Sequence, residues 1–496
     1  MRVATRCQMR LDNTPVNQVL LNIQCRDEII PFLRSMQHIY DNSELRKKLL
    51  ELVAQDVNGK SSANLGREGM TYWQILVLAS ARLELKLDYD GLQDLAENHR
   101  NLRCIMEIGD WEGNTNEQPD FNWDRIRDNV CLVRPETLEQ INQLIVGEGH
   151  MLIPEAVEDV RGDTFVVKTN IHYPTESSLI RDGVRKIIEV AVLLAAMVVS
   201  HGWRQHEHLF KKVKKLARQC DRATSKKGPG YQQRLTGLYG KLLKEAAAVL
   251  ERARDLEQKV RGSQEHTALA ERMAHYCRLT EQVCDTARRR MLLKEQVPNS
   301  EKLFSIFEPE TQLFQRGKAG EPVQFGHLVL VVEDAAGFIC HYKVLAKGEL
   351  EREIVVSEMR GLQKRFDDKI KGASFDRGFH SPENQLELAK IFAHPCVPTT
   401  GSRKSQQQEE TATVEFRAAR QRHSGIESAI GALQSGNGLA RCRDHTYVGF
   451  RRYVGLGILG RNLHVLGKIL LSQDDPQCRA AYSRRKPVAA RSSCIL

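Results

Sequence analysis

The sequence predicts an α/β protein with a helical amino-terminal region and a large helical insertion after the first strand of its sheet. Two observations predict this class. Short runs of β-branched and apolar residues, which are typical of strands, begin near Val160 and resume only at Gly326. Between these runs, from about Asp182 to Lys302, apolar residues recur at the three- and four-residue spacing of helices.

The first 155 residues show the same helical spacing at 31–57, 69–87 and 135–146. Short stretches of Asn, Asp and Gly, such as residues 113–116, separate these segments. We therefore expect a helical amino-terminal domain over residues 1–155.

The first strand is predicted at 163–169, where Asp163 opens a run of β-branched and apolar residues. Residues 156–181 then form the first part of the sheet domain, and residues 182–320 form the insertion. Between residues 201 and 250 the insertion carries twelve Lys and Arg against three acidic residues. Gly228-Pro229-Gly230 divides the insertion into two arms, which predicts an antiparallel pair of helices.

The rest of the sheet domain is predicted over residues 321–475. A hairpin turn at 334–337 joins strands at 327–333 and 338–345. The elements that follow are a helix at 351–366, a strand ending at Asp376, a helix capped by Ser381 with Pro382 in its first turn, a short strand at 396–398, a Gln-rich linker at 402–411, and helices at 414–434 and 450–471. The basic tail, residues 476–496, is expected to be disordered.

Without the insertion, the order of elements from residue 160 to residue 434 is β-β-β-α-β-α-β-α. Three strands that can pair antiparallel, followed by alternating helices and strands, are the layout of a ribonuclease-H-like α/β domain. The sequence therefore predicts a ribonuclease-H-like domain that is interrupted between its first and second strands.

The composition bears on partner and compartment. The chain has 73 Lys and Arg against 63 Asp and Glu, a net charge of +10, which favours a polyanionic partner such as double-stranded DNA. The twelve cysteines include no C-x-x-C pair, which argues against a zinc site and favours reduced thiols in a cytoplasmic protein. The longest apolar run, residues 187–199, is too short to cross a bilayer, so we expect no membrane partner.

Three acidic residues stand out by context. Asp163 lies in an otherwise apolar strand, and Asp376 lies at the carboxyl end of a strand, where ligands gather in α/β sheets. Glu427 lies beside the apolar stripe of its helix and shares a face with His423 and Arg420. For each acid alone, a solvated or capping carboxylate is the favoured interpretation. Together they could hold two Mg²⁺ or Mn²⁺ ions, an arrangement that can carry out phosphodiester chemistry.

The segments around these acids resemble the catalytic blocks of bacterial insertion-sequence transposases of the DDE type, and most of all the ISNCY-type group. The three blocks, which occur in the expected order, are Asp163-Thr-Phe-Val-Val-Lys-Thr-Asn-Ile-His-Tyr-Pro174 with Asp182-Gly183, Ser374-Phe-Asp-Arg-Gly-Phe-His-Ser-Pro-Glu-Asn384, and Arg422-His-Ser-Gly-Ile-Glu-Ser-Ala-Ile430 with Gly449-Phe-Arg-Arg-Tyr-Val454. The resemblance covers most of the chain.

The resemblance implies a catalytic role for all three acids. Asp163 would be shared by both metal ions, and Asp376 and Glu427 would each complete one ion. The residues expected to contact DNA are Arg377, Arg420, His423, Lys211, Lys212, Lys214, Lys215 and Arg218.

The resemblance also implies an activity. The helical domain at residues 1–155 would be a DNA-binding domain that recognises the terminal inverted repeats, and the basic insertion would hold flanking or target DNA. The enzyme would nick the element ends and join the 3′-hydroxyl to target DNA. It would act as a dimer or higher oligomer on the bacterial nucleoid. Two alternatives remain open, namely a metal-dependent host nuclease on the same fold and a non-catalytic DNA-binding protein derived from a transposase.

Overall fold

The computed structural model describes residues 2–5, 14–23, 25, 27–59, 69–109, 121–198, 202–226, 228–260, 267–315, 322–399, 401, 408 and 412–474. Nearly all of the predicted linker at 402–411 and the whole predicted tail at 476–496 lie outside these residues. Two compact units divide the chain. The first comprises Met1–Lys168 and Leu328–Leu496, and the second comprises Thr169–His327.

Seven helices are described in the amino-terminal part of the first unit. They are α1 (Ile29–Asp41), α2 (Ser43–Asn58), α3 (Tyr72–Glu84), α4 (Tyr89–Asn98), α5 (Arg100–Ile105), α6 (Trp123–Val130) and α7 (Pro135–Leu152). The helix predicted at 31–57 is divided at Asn42, whose side chain accepts a hydrogen bond from the Leu45 N–H and so caps α2. Residues 1–155 thus lie in the same compact unit as most of the sheet.

The sheet is mixed and has six described strands. They are β1 (Asp159–Lys168), β2 (Gln312–Gln315), β3 (Val323–Asp334), β4 (Ile339–Val344), β5 (Gly372–Phe375) and β6 (His394–Cys396). Their order is β2-β3-β1-β5-β6, and β4 also pairs with β3. The β2–β3 and β3–β4 pairs are antiparallel, whereas β1–β5 and β5–β6 are parallel. The α/β class with a mixed sheet is confirmed.

The first strand begins earlier than predicted. Residues 159–162 already pair with β5, from Asp159 opposite Gly372 to Gly162 opposite Phe375. Asp163 therefore lies in the middle of β1, and the prediction that it opens the strand is wrong. The strand begins earlier because residues 159–162 pair with β5, which is distant in the sequence. Along this part of β1 the residues alternate between half-buried and buried.

The insertion contains four described helices instead of two arms. They are α8 (Glu176–Met197), α9 (His206–Ser225), α10 (Tyr231–Val260) and α11 (Thr267–Met291). The turn at Gly228-Pro229-Gly230 joins α9 to α10, which pack against each other as predicted. The buried faces of the four helices share one apolar core that includes Ile187, Val213, Leu242 and Val283.

The carboxyl-terminal helices are α12 (Glu351–Arg365), α13 (Pro382–Ile391), α14 (Val414–His423), α15 (Gly425–Ser435) and α16 (Tyr447–Asp474). The predicted cap of α13 is confirmed, since the Ser381 side chain accepts from the Asn384 N–H and Pro382 opens the helix. The single helix predicted at 414–434 is two helices that meet at Ser424.

The long helix α16 is the core helix of the first unit. It packs against α1, α3 and α7, and its backbone approaches α1 so closely that a Cβ at Gly467 would strike the Pro31 carbonyl group. Its length and hydropathy would suffice to cross a membrane, but 78% of its most apolar window is buried inside the protein. This burial is typical of a core helix in a soluble protein.

Candidate active site

Asp163 and Asp376 occupy neighbouring positions on two parallel strands. The register of β1 against β5 ends at Gly162 opposite Phe375; Asp163 is the next residue of β1, and Asp376 is the first residue after β5. Asp376 keeps an extended backbone (φ −77°, ψ 167°). Adjacent strands lie about 5 Å apart and paired residues point to the same face, so continuing the register by one residue puts both aspartates on one face of the sheet where β5 ends.

The opposite face of the same two strands fixes this spacing. Phe375 is fully buried, and a Cβ at Gly162 would lie 2.7 Å from its Cε1 atom. Only glycine therefore lets β1 approach β5 while the Phe375 ring stays in place. A larger residue at 162 would push the strands apart and separate Asp163 from Asp376.

Backbone hydrogen bonds orient each aspartate. Asp163 Oδ1 accepts from the Thr164 N–H at 2.7 Å, and Asp376 Oδ1 accepts from the Arg377 N–H at 2.7 Å. Asp376 is exposed and caps the short 3₁₀ turn Arg377–Phe379, whereas Asp163 is half-buried. Arg377 is exposed beside the pair, where a phosphate could reach it.

Glu427 lies in the first turn of α15, on a helix that packs against β1, while α14 packs against β5 and β6. His423 is the last residue of α14, and its Nδ1 lies 3.2 Å from Ser374 Oγ of β5. Burial lowers the pKa of His423, and the charges of Asp376 and Glu427 oppose that shift. The charges of both acids therefore act on His423.

Arg161 is a site residue that the sequence analysis missed. Its guanidinium makes an ion pair with Glu333 at 2.6 Å, and its Nη1 donates to the Arg422 carbonyl at 2.9 Å. The same group occupies the space where a Cβ at Gly425 would lie, so a larger residue there would have to displace the guanidinium. Arg161 thus anchors the break between α14 and α15 to β1. The signal in the sequence was a charged residue two positions before Asp163, on the same face of the strand.

Glu351, the first residue of α12, was also missed. Its Oε1 accepts a hydrogen bond from Thr164 Oγ1, and its Oε2 lies against Gly378 in the turn after Asp376. The side chains of Thr164 and Asp163 point to opposite faces of the sheet because the two residues are consecutive in β1. Glu351 therefore approaches β1 from the face opposite the aspartates. In the sequence it is indistinguishable from an ordinary acid in the first turn of a helix.

The donor set is that of a hard cation, since carboxylate oxygens are the ligands that Mg²⁺ and Mn²⁺ prefer. Across the described ranges, however, no three His, Cys, Asp or Glu side chains are grouped closely enough to hold one metal ion. The sheet register brings Asp163 and Asp376 to neighbouring positions, and Glu427 lies on a helix that packs against β1.

The other predicted DNA contacts are distributed over two elements. Arg420 is half-buried on α14. The remaining five cations all lie on α9, where Lys211, Lys215 and Arg218 are exposed. Lys212 is also exposed and pairs with Glu245 at 2.7 Å, and the Lys214 ammonium lies 6.0 Å from the centre of the Phe210 ring.

Comparison with protein-family models, with curated proteins and with solved structures gives no match for this chain.

Proposed function

We propose that this chain is a metal-dependent DNA transposase of the DDE type, which nicks the ends of a mobile element and joins the freed 3′-hydroxyl to target DNA. The observation that supports this most is the register of β1 against β5, which ends at Gly162 opposite Phe375 and so brings Asp163 and Asp376 to neighbouring positions. Both residues come from the segments that carry the family resemblance, and nothing in either segment alone requires them to meet.

The topology of the sheet also supports the proposal. Strands β4 and β3 are antiparallel, and the Ala335 N–H after β3 donates to the Ala156 carbonyl just before β1, so β3 also runs opposite to β1. On the other side of β1, strands β5 and β6 are parallel to it. Three antiparallel strands followed by two parallel ones form the layout of a ribonuclease-H-like domain, with β2 as an addition.

Two Mg²⁺ or Mn²⁺ ions, when bound, would neutralise charge at the scissile phosphate and activate the attacking oxygen. Asp163 and Asp376 would hold them with carboxylates that backbone N–H groups orient. Glu427 would join the pair by a movement of α15 about the break at Ser424. Arg377 is placed to contact a phosphate, and His423, whose pKa burial lowers, would act as a neutral hydrogen-bonding group.

The direct test uses Asp376→Asn with Asp368→Asn as its matched control. Asp368 is exposed and has φ 57°, a conformation that Asn tolerates. The substrate is labelled duplex DNA from the ends of the genomic segment that carries this gene. We expect Asp376→Asn to lower Mg²⁺-dependent cleavage at least 100-fold and to weaken Mn²⁺ binding, measured by electron paramagnetic resonance. The control should match the wild type in both assays.

Equal cleavage by Asp376→Asn and the wild type would remove the site assignment. If cleavage depends on Asp376 but no joined product forms with a target duplex, the enzyme is a nuclease and not a transposase.

One observation favours a second candidate, a non-catalytic DNA-binding protein derived from a transposase. It is that no group of three potential ligands is close enough to hold an ion within the described part of the chain. Wild-type protein that binds the same duplexes but neither cleaves them nor binds Mn²⁺ would establish this candidate in place of the enzyme.

A further inference from the structure

Helix α9 has two opposite faces. Val213, Ala217 and Cys220 are buried in the core of the second unit. On the other side, exposed basic residues recur at spacings of four, three and four. They are Lys211, Lys215, Arg218 and Arg222, which we call the basic ridge. At 3.6 residues per turn these four side chains project within about 60° of one another, so the ridge is a single straight line of positive charge.

The charges of this ridge are poorly neutralised. Among the residues that the structure describes, no acid forms an ion pair with Lys215, Arg218 or Arg222. Lys211 pairs with Glu207 at 3.2 Å, but both side chains are more than 70% exposed, so the pair contributes little. The nearby Asp221 accepts instead from Ser177 Oγ of α8.

We propose that the basic ridge binds the phosphate backbone of duplex DNA without reading its sequence. This inference rests on the proposed function, which requires the enzyme to hold DNA outside the cleavage site. The ridge extends about 16 Å at 1.5 Å per residue. Duplex DNA carries one charge per about 1.7 Å of its axis, so each cation that meets a phosphate releases condensed counterions.

A membrane surface fits the ridge less well. A helix that lies on a bilayer inserts an apolar face between the lipids, but the apolar face of α9 is already packed in the core of the second unit. The ridge itself is polar along its length. What it offers is a row of charges without an apolar anchor, and this suits a phosphate backbone.

The test compares two triple variants that each remove three positive charges. The ridge variant is Lys215→Gln, Arg218→Gln and Arg222→Gln. The control is Arg252→Gln, Arg272→Gln and Arg278→Gln, at exposed positions on α10 and α11. Binding of a fluorescein-labelled 30-base-pair duplex of mixed sequence is measured by anisotropy over a series of salt concentrations.

We expect the ridge variant to bind at least 10-fold more weakly than the control at about 0.1 M salt. The magnitude of the negative slope of log K against log salt should decrease by about 2 to 3, since each lost phosphate contact reduces that magnitude by about 0.9. Circular dichroism and the melting temperature should stay unchanged in both variants.

A ridge variant with the wild-type salt slope, or a control with an equal loss, would overturn the proposal. So would a ridge variant that loses binding to vesicles containing phosphatidylserine but keeps duplex binding. The outcome is separable from that of the active site. If the enzyme assignment fails, Asp376→Asn and the wild type cleave equally, while the ridge variant still binds DNA with a smaller salt dependence than the wild type. If the ridge fails, Asp376→Asn still loses cleavage.

Discussion

Replacing Arg161 by Met tests the anchor between β1 and the α14–α15 break. Glu333, its partner on β3, is only 2% exposed, so the change leaves a buried carboxylate without its nearest cation. Removing one partner of a buried pair costs about 3–5 kcal/mol. Two features reduce this figure here. The Arg161 side chain is 28% exposed, and Arg461 remains to attract Glu333. We expect a loss of about 2–3 kcal/mol in the free energy of unfolding.

The pH dependence follows from the direction of the Glu333 pKa. Burial raises this pKa above its ordinary value, and Arg161 opposes the rise. Without Arg161 the folded-state pKa rises further, so the ionised form becomes more costly in the folded protein. A raised carboxyl pKa stabilises the fold below the unfolded-state pKa, about 4.3, and this contribution is lost as pH rises through the folded value. The loss of unfolding free energy caused by Arg161→Met should therefore be larger at pH 8 than at pH 5.

Urea denaturation of the single variants and of the double variant Arg161→Met/Glu333→Gln provides the measurement. The double variant carries no buried charge at 333, so it should be at least about 1 kcal/mol more stable than Arg161→Met. Cleavage should stay low in both, because neither restores the hydrogen bond to the Arg422 carbonyl. A single variant that loses less than about 1 kcal/mol, or a double variant with full activity, would refute the anchoring role.

Three further predictions concern stability. Gly467→Ala should cost more than about 2 kcal/mol in urea denaturation, because the added Cβ meets the backbone of Pro31. Gly361→Ala, in α12 with no atom near its Cβ position, should instead gain about 0.5–1 kcal/mol. Glu358→Gln should cost about 1–2 kcal/mol at pH 7, since His341 holds the pKa of Glu358 at about 2. Because the pKa of Glu358 is lower in the folded protein, its ionised form stabilises the fold above about pH 4. The difference in unfolding free energy between the wild type and Glu358→Gln should therefore disappear as pH falls towards about 2.

Local chemistry explains which elements the sequence could predict. The start of α13 follows from Ser381 and Pro382 alone, because a hydroxyl that accepts a main-chain N–H and a proline in the first turn act within four residues. The hairpin between β3 and β4 is similarly local, since Asp334 Oδ1 accepts from the N–H groups of Ala336, Gly337 and Phe338.

Features that depend on distant partners were not predictable in the same way. The early start of β1 comes from its pairing with β5, more than 200 residues later. The break at Ser424 lies inside a continuous helical pattern of the sequence. It is stabilised by Arg161 of strand β1, which donates a hydrogen bond to the Arg422 carbonyl. The four-residue strand β2 is too short to show a two-residue period. Glu351 lies at the site only because α12 returns to the middle of β1, where Thr164 donates to it.

The two aspartates and Glu427 differ in how they are held, and this difference makes a last prediction. The sheet register brings Asp163 next to Asp376, whereas Glu427 lies on α15 and would reach them by the movement of that helix proposed above. Two carboxylates 4 Å apart repel by about 1 kcal/mol in water and about 4 kcal/mol at an effective dielectric constant of 20. Glu427 would therefore approach the pair only when bound cations neutralise this repulsion. Mg²⁺ should then slow hydrogen exchange in the first turn of α15 in the wild type but not in Asp376→Asn. Equal exchange with and without Mg²⁺ in both proteins would mean that Glu427 does not join the site.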